Sequence, residues 1–327
     1  MRKKTFTNAA ACAALVLATV PVGGVQAIAQ EREARRAPQT DKTVPVARGS
    51  RLAVSNDAGE VVIRTWDRDA LRVQAVHSPR VTIDVQTSAN VVAVRSRSSG
   101  AQGSVDYDIT APAWLPVRVS GQFLYIGIEG AQNEVSAETV RGDIVVRGGS
   151  GTVAAKSIHG EIIVDEAKGR INLSSVNEGI RITGASGEIT AETTNGDITV
   201  SKVDARSLDL ATVNGDIRYD GPIVAGAQYR LVTHNGDITL AVPENTNATF
   251  NVRTYNGDFQ SSLATKAVGE VRRGRRATYS LGSGGADVEL ESFGGTIRLR
   301  GPGAPARGRR GSDAPATKDK GKHTPGK

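Results

Sequence analysis

Thr193-Thr194-Asn195-Gly196-Asp197-Ile198 recurs as Thr212-Val213-Asn214-Gly215-Asp216-Ile217, as Thr233-His234-Asn235-Gly236-Asp237-Ile238 and as Thr254-Tyr255-Asn256-Gly257-Asp258-Phe259. Looser copies begin at Thr139, Ser157, Ser175 and Ser292. The starts 139, 157, 175 and 193 are 18 apart, and the next intervals are 19, 21 and 21. The interval from 254 to 292 is 38, which reads as two periods with one degraded copy. A fixed period of this length marks a stacked-repeat architecture, in which no unit can bury its apolar face alone.

The period halves. After each turn stand two apolar residues separated by one, as in Ile144/Val146, Val153/Ala155, Ile162/Val164 and Ile198/Val200. The pattern continues through Tyr229/Leu231, Phe250/Val252, Val288/Leu290 and Ile297/Leu299. This is the period-2 signature of strands with one buried face, and helical spacing is absent. The fold class is therefore all-β, a solenoid with two short strands per coil of 18–21 residues. Coils at ~4.8 Å spacing would place roughly thirteen of them along a rod about 60 Å long. Asn172, Arg181, Thr190, Thr199, Asp209, Arg218 and Thr239 fall on the outward positions. Asn-Gly is a strong turn signal because both residues tolerate positive φ, so Gly215 and its equivalents are expected there. Thr193 and its equivalents fall inward, where a hydroxyl can bond turn backbone that is otherwise buried unpaired.

The ends differ from this body. Arg2, Lys3 and Lys4 precede an apolar run, Ala9 to Val20, and Ala27-Ile28-Ala29 forms a small-x-small processing site. Residues 1–29 thus read as a signal peptide, and the chain as exported, to the periplasm or the cell surface. The one cysteine, Cys12, lies in that segment, so the mature chain has no disulfide. No further apolar stretch is long enough to span a membrane. The net charge of +7 belongs to the ends, since residues 51–300 hold 26 basic and 29 acidic side chains. A mildly acidic, aromatic-poor, exported body argues against nucleic acid as a partner. Residues 30–48 read as a disordered linker and 301–327 as a disordered basic tail, which solubilises the chain or tethers it to an anionic envelope polymer.

Between these ends lies one solenoid domain, residues 49–300, with a less regular N-terminal part at 49–138 and regular repeats at 139–300. The opening LAVSNDAGEVVIRTWD, the middle DITAPAWLPVRVSG and the closing GGADVELESFGGTIRLRG resemble a bacterial family of unknown function known as "putative adhesin", with recurring T-x-N-G-D-I repeats. The resemblance spans about residues 50–300 and implies a solenoid with an adhesive role, without naming a site residue. The sequence departs from it at Asn177 to Gly179, where NEG replaces NGD, and around Arg272 to Arg276.

The chemistry is sparse. Calcium-binding β-rolls place an Asp two positions before the core residue. Here Asp143, Asp197, Asp216, Asp237 and Asp258 immediately precede it, so they point to the other face. They lack a second carboxylate per level and are expected to accept turn N–H groups, with no metal and no cofactor. His77, His159 and His234 are scattered, and no nucleophile or metal-ligand spacing occurs, so no catalytic residue is assigned and the chain is not expected to be an enzyme. Trp66 and Trp114 are expected to pack the N-terminal part. Arg272, Arg273, Arg275 and Arg276 are candidates for binding an anionic polymer, since like charges so close repel unless neutralised. Two function classes remain: an adhesin-like envelope module binding a glycan, a protein or itself, and a periplasmic structural or regulatory scaffold. A β-helical polysaccharide-degrading enzyme ranks below both.

Overall fold

The computed structural model describes residues 39–98, 103–272 and 276–303. Every regular element among them is a strand, arranged in one sheet of 13 strands and another of 14. In the middle of the molecule the chain alternates between the sheets, contributing one strand to each per coil. Ile144–Gly148, Ile162–Asp165, Ile180–Thr183, Ile198–Ser201, Ile217–Asp220 and Ile238–Ala241 stack in parallel in the first sheet. Val135–Glu138, Thr152–Lys156, Lys168–Ser174, Ser186–Thr193, Asp204–Asn214 and Gln228–Asn235 do so in the second.

The alternation of the sequence becomes ladders. Ile144, Ile162, Ile180, Ile198, Ile217 and Ile238 lie in register and are buried. Opposite them run Val153, Ile171, Ile189, Leu208 and Tyr229, also buried. Each such side chain contributes about 1.5–3 kcal/mol when fully buried. The outward positions carry ion pairs between successive coils, such as Arg230–Asp209 at 3.1 Å and Arg170–Glu188 at 3.2 Å.

Spatial order departs from chain order at both ends. The coil of Arg51–Ser55 and Ala58–Trp66 lies between the coil of Val91–Ser98 and Val105–Pro112 and that of Val117–Ser120 and Phe123–Ala131. Likewise the last coil, Ala286–Ser292 and Ile297–Arg300, lies between Gln228–Asn235/Ile238–Ala241 and Ala248–Thr254/Phe259–Ser261. The first and last coils of the chain are thus interior to the stack. The outer rims are antiparallel: Val81–Ser88 at one end of the second sheet and the hairpin Lys266–Arg272/Arg276–Leu281 at the other. In the first sheet the rims are Thr40–Pro45, which ends on a proline, and the three-residue strand Phe259–Ser261. Antiparallel, proline-ended or very short rims limit strand addition by another chain.

Three expectations change. Residues 40–45, assigned to a disordered linker, form a strand along Ala70–Val76, with Val44 packed on the core and Arg72 bridging Asp41. The degraded repeat between 254 and 292 is not a coil. Its residues extend the second sheet alone, as the antiparallel hairpin 266–281 on Ala248–Thr254, and the last coil then returns one level inward. The turn glycines Gly196, Gly215 and Gly236 do not adopt left-handed φ. They are glycines because each sits against a backbone carbonyl one level below, Glu178 O in the case of Gly196. A Cβ on Gly215 would overlap Gly196 O, and one on Gly236 would overlap Gly215 O. The signal segment 1–29 and the tail 304–327 lie outside the described residues.

Candidate binding surface at the solenoid corner

Stacking turns the T-x-N-G-D-I motif into parallel rows along one corner. The innermost row is hydroxyl. Thr193 donates to Glu178 O at 3.0 Å, Thr212 to Gly196 O at 3.0 Å, Thr233 to Gly215 O at 2.9 Å and Ser292 to Gly236 O at 3.0 Å. These hydroxyls are buried, as their inward position requires, and each satisfies a turn carbonyl of the coil below. Ser175 is the exception. Its Oγ is buried without a partner, in the coil where NEG replaces NGD.

The aspartates form a second row. Asp197 Oδ1 accepts the N–H of Asp216 at 2.9 Å, Asp216 Oδ1 that of Asp237 at 2.9 Å, and Asp237 Oδ1 that of Thr296 at 2.8 Å. The expected N–H bonds therefore exist, but each reaches the next coil rather than its own turn. Arg218 bridges Asp197 and Asp216, at 2.7 Å to each, and Arg298 binds Asp237 at 2.7 Å. Partial burial raises the Asp197 carboxyl, but the Asp216 N–H and the Arg218 guanidinium outweigh it and hold the group below its ordinary value. Among the described residues no group of three or more His, Cys, Asp or Glu side chains is placed to hold a metal ion.

The asparagines form a third, exposed row. Asn195 Nδ2 donates to Asn177 Oδ1 at 3.2 Å, Asn214 to Asn195 at 2.8 Å and Asn235 to Asn214 at 2.9 Å. Each carboxamide of Asn195 and Asn214 spends one N–H and one oxygen lone pair within the row. The second N–H and lone pair of each remain for solvent or a ligand.

Beside the asparagines runs the variable position of the motif. Val140, Val213, Phe293 and Tyr255 are 39–43% exposed there, in a molecule whose other large apolar side chains are mostly inside. The rings of His234 and Phe293 stack at 4.6 Å and 11°, and Tyr255 follows at 5.2 Å and 34°. Phe293 stands between the other two because the last coil is inserted there. Tyr255 follows the last parallel strand of the second sheet, Ala248–Thr254, beside which the antiparallel strand Arg276–Leu281 continues that sheet. From sequence His234 reads as a lone exposed turn residue, and Tyr255 and Phe293 do not stand out. The available signal was the shared position of all three in the motif.

The expected arginine site is only partly described. Arg272 and Arg276 are register partners in the hairpin backbone, and Arg276 is exposed. Arg273 and Arg275 lie outside the described residues. His77 binds Thr40 Oγ1 at 2.8 Å and His159 contacts Asn177 Nδ2 at 3.1 Å, so the histidines are not brought together. Trp66 donates to Ala70 O, and Trp114 packs partly buried against the core and donates to Asp69, both in the N-terminal part.

A family model described as toastrack DUF4097 matches residues 50–300. Solved structures similar to this chain include a "putative cell adhesion protein" from Clostridium sporogenes. It is 9% identical, with 80% of this chain and 98% of that chain covered and a TM-score of 0.21. Another is a "putative adhesin" from Parabacteroides distasonis, 13% identical, with 80% and 96% covered and a TM-score of 0.33. No curated protein matches.

Proposed function

The chain belongs to the toastrack DUF4097 family, and from that premise we propose that it is an exported, non-catalytic, adhesin-like envelope protein that binds glycan chains along its exposed corner. The observation that carries this reading is the row His234–Phe293–Tyr255, which continues along the same corner from the level of Asn235, where the carboxamide row Asn195–Asn214–Asn235 ends. Sugars present apolar C–H surface and hydroxyl pairs together. Aromatic side chains supply apolar contact at little entropic cost, and carboxamides both donate and accept. The coil pitch, ~4.8 Å, is close to the length that one hexopyranose adds to an extended chain. The charged n-region, apolar run and Ala27-Ile28-Ala29 support export.

The test is titration calorimetry of the mature protein with cellohexaose and maltohexaose. Binding to at least one is expected, and Tyr255→Ala and Phe293→Ala should each weaken it by about tenfold, the loss of roughly one good aromatic contact. Unchanged affinity in both variants, or no binding of either oligosaccharide, would overturn the reading. Fractionation of the native cells checks export, since recovery in the cytosol would contradict it.

A further inference from the structure

On the outer face of the second sheet, near its N-terminal end, a groove of about 600 Å³ is bounded by Arg51, Arg95 and Arg118. The three residues stand on adjacent strands, Arg51–Ser55, Val91–Ser98 and Val117–Ser120. Arg118 is level with Ala53, which is level with Ala93, while Ser136 and Ala154 continue the same row on the other side. Outward positions that elsewhere carry long polar side chains here, Arg118 apart, carry methyl groups or a small hydroxyl, and the row sinks into a floor on either side of Arg118.

The charges around that floor are unbalanced. Farther along the same face Arg170, Arg230 and Arg253 are each paired with a carboxylate, at 3.0–3.2 Å. Arg51, Arg95 and Arg118 are all exposed, and none makes an ion pair or side-chain hydrogen bond with a described residue. Two acids lie nearby. Glu134 lines the groove without reaching an arginine. Asp84 is level with Arg95 but is held by Arg97 at 2.9 Å. Three guanidiniums left unneutralised around one concave surface raise the local potential and favour an anionic occupant.

We propose that this groove is a binding site for an acidic oligosaccharide, a chain bearing uronate carboxylates. The spacing argues for a chain rather than a single anion. Arg51 is level with Val91, four residues before Arg95, so these two positions are about 13 Å apart along the strands. Arg118 stands midway on the neighbouring strand. Successive carboxylates along an oligomer can meet separate guanidiniums with two-point geometry, while sugar rings rest on Ala53, Ala93 and Ala154. The groove is on a different face from the aromatic corner and stands whether or not the corner binds sugar.

The experiment uses the mature full-length protein and hexagalacturonate at low ionic strength. Maltohexaose serves as a neutral chain and inorganic phosphate as a lone anion. Hexagalacturonate should bind more tightly than either, and more weakly as salt rises. The triple variant R51A/R95A/R118A should lose at least about tenfold in hexagalacturonate affinity, since several weak exposed charge contacts go at once. The basic tail is the same in both proteins, so the difference reports the groove. The three side chains point outward, and an unchanged melting temperature confirms the fold; should the triple variant not fold, Arg118→Gln alone should still weaken binding measurably. Equal hexagalacturonate affinity in variant and wild type would overturn the proposal, as would equal affinity for the neutral hexasaccharide or tighter binding of phosphate.

Discussion

Gly215 shows how a single residue is constrained by the level below it. Its Cα lies against Gly196 O, so any side chain there must displace backbone that is itself held by coils on both sides. Positive φ would have favoured asparagine over alanine at this position; a steric clash disfavours both. Gly215→Ala should therefore destabilise by about 1–3 kcal/mol, as overpacking does, and Gly215→Asn by at least as much. Asp216→Ala, which loses the acceptor for Asp237 N–H and one partner of Arg218, should cost about 0.5–1.5 kcal/mol. Urea denaturation of the three variants checks this order. An asparagine variant more stable than the alanine variant would restore the conformational explanation. The need for glycine at this position was legible in the repeat. Its cause was not, because the atom it avoids belongs to a residue 19 positions away in a neighbouring coil.

At the scale of the element, the strand-to-strand corner is held by a row of buried hydroxyls, and its one irregularity is informative. Thr212 Oγ1 satisfies Gly196 O, so Thr212→Val leaves a buried carbonyl short of a donor and should cost about 1–3 kcal/mol. Ser175 Oγ satisfies nothing, so Ser175→Ala should lie within about 0.5 kcal/mol of wild type or stabilise the protein. Thermal unfolding of both variants tests the pair, and a Ser175→Ala loss as large as that of Thr212→Val would mean Oγ has a partner such as ordered water. The inward hydroxyl follows from strand alternation and was readable from sequence. The orphan at Ser175 coincides with the NEG departure in the same turn, though only the coordinates tie the two together.

For the whole molecule, the insertion of the first and last coils replaces frayed ends with interior ones. The last coil pairs on both sides in both sheets, so its amides should exchange as slowly as those of the middle. In hydrogen exchange, residues 288–290 and 297–299 should match 189–191 and 198–200 in protection and exceed 259–261 in the rim strand. A gradient of falling protection from residue 240 to residue 300 would mean that the coils follow chain order. The same insertion assembles the proposed corner site, since it sets Phe293 between His234 and Tyr255, and it makes closure of the stack a contact between segments distant in sequence.

The sequence by itself determined the all-β solenoid, its two strands per coil, the inward ladders and the inward hydroxyls. These follow from period-2 alternation and a fixed repeat, which act through neighbours one period away. It also led to a linker where Thr40–Pro45 forms a strand, because a short charged segment shows its partner only when Ala70–Val76 lies beside it. Only the tertiary structure decided which coil stacks on which. Any coil's apolar face can cover any other's, so the repeat carries no label for order, and the hairpin at 266–281 supplies the detour that puts residue 293 between 234 and 255. The arginine groove has the same origin: Arg51, Arg95 and Arg118 are far apart in the chain and share a surface because an early coil is clasped between two later ones.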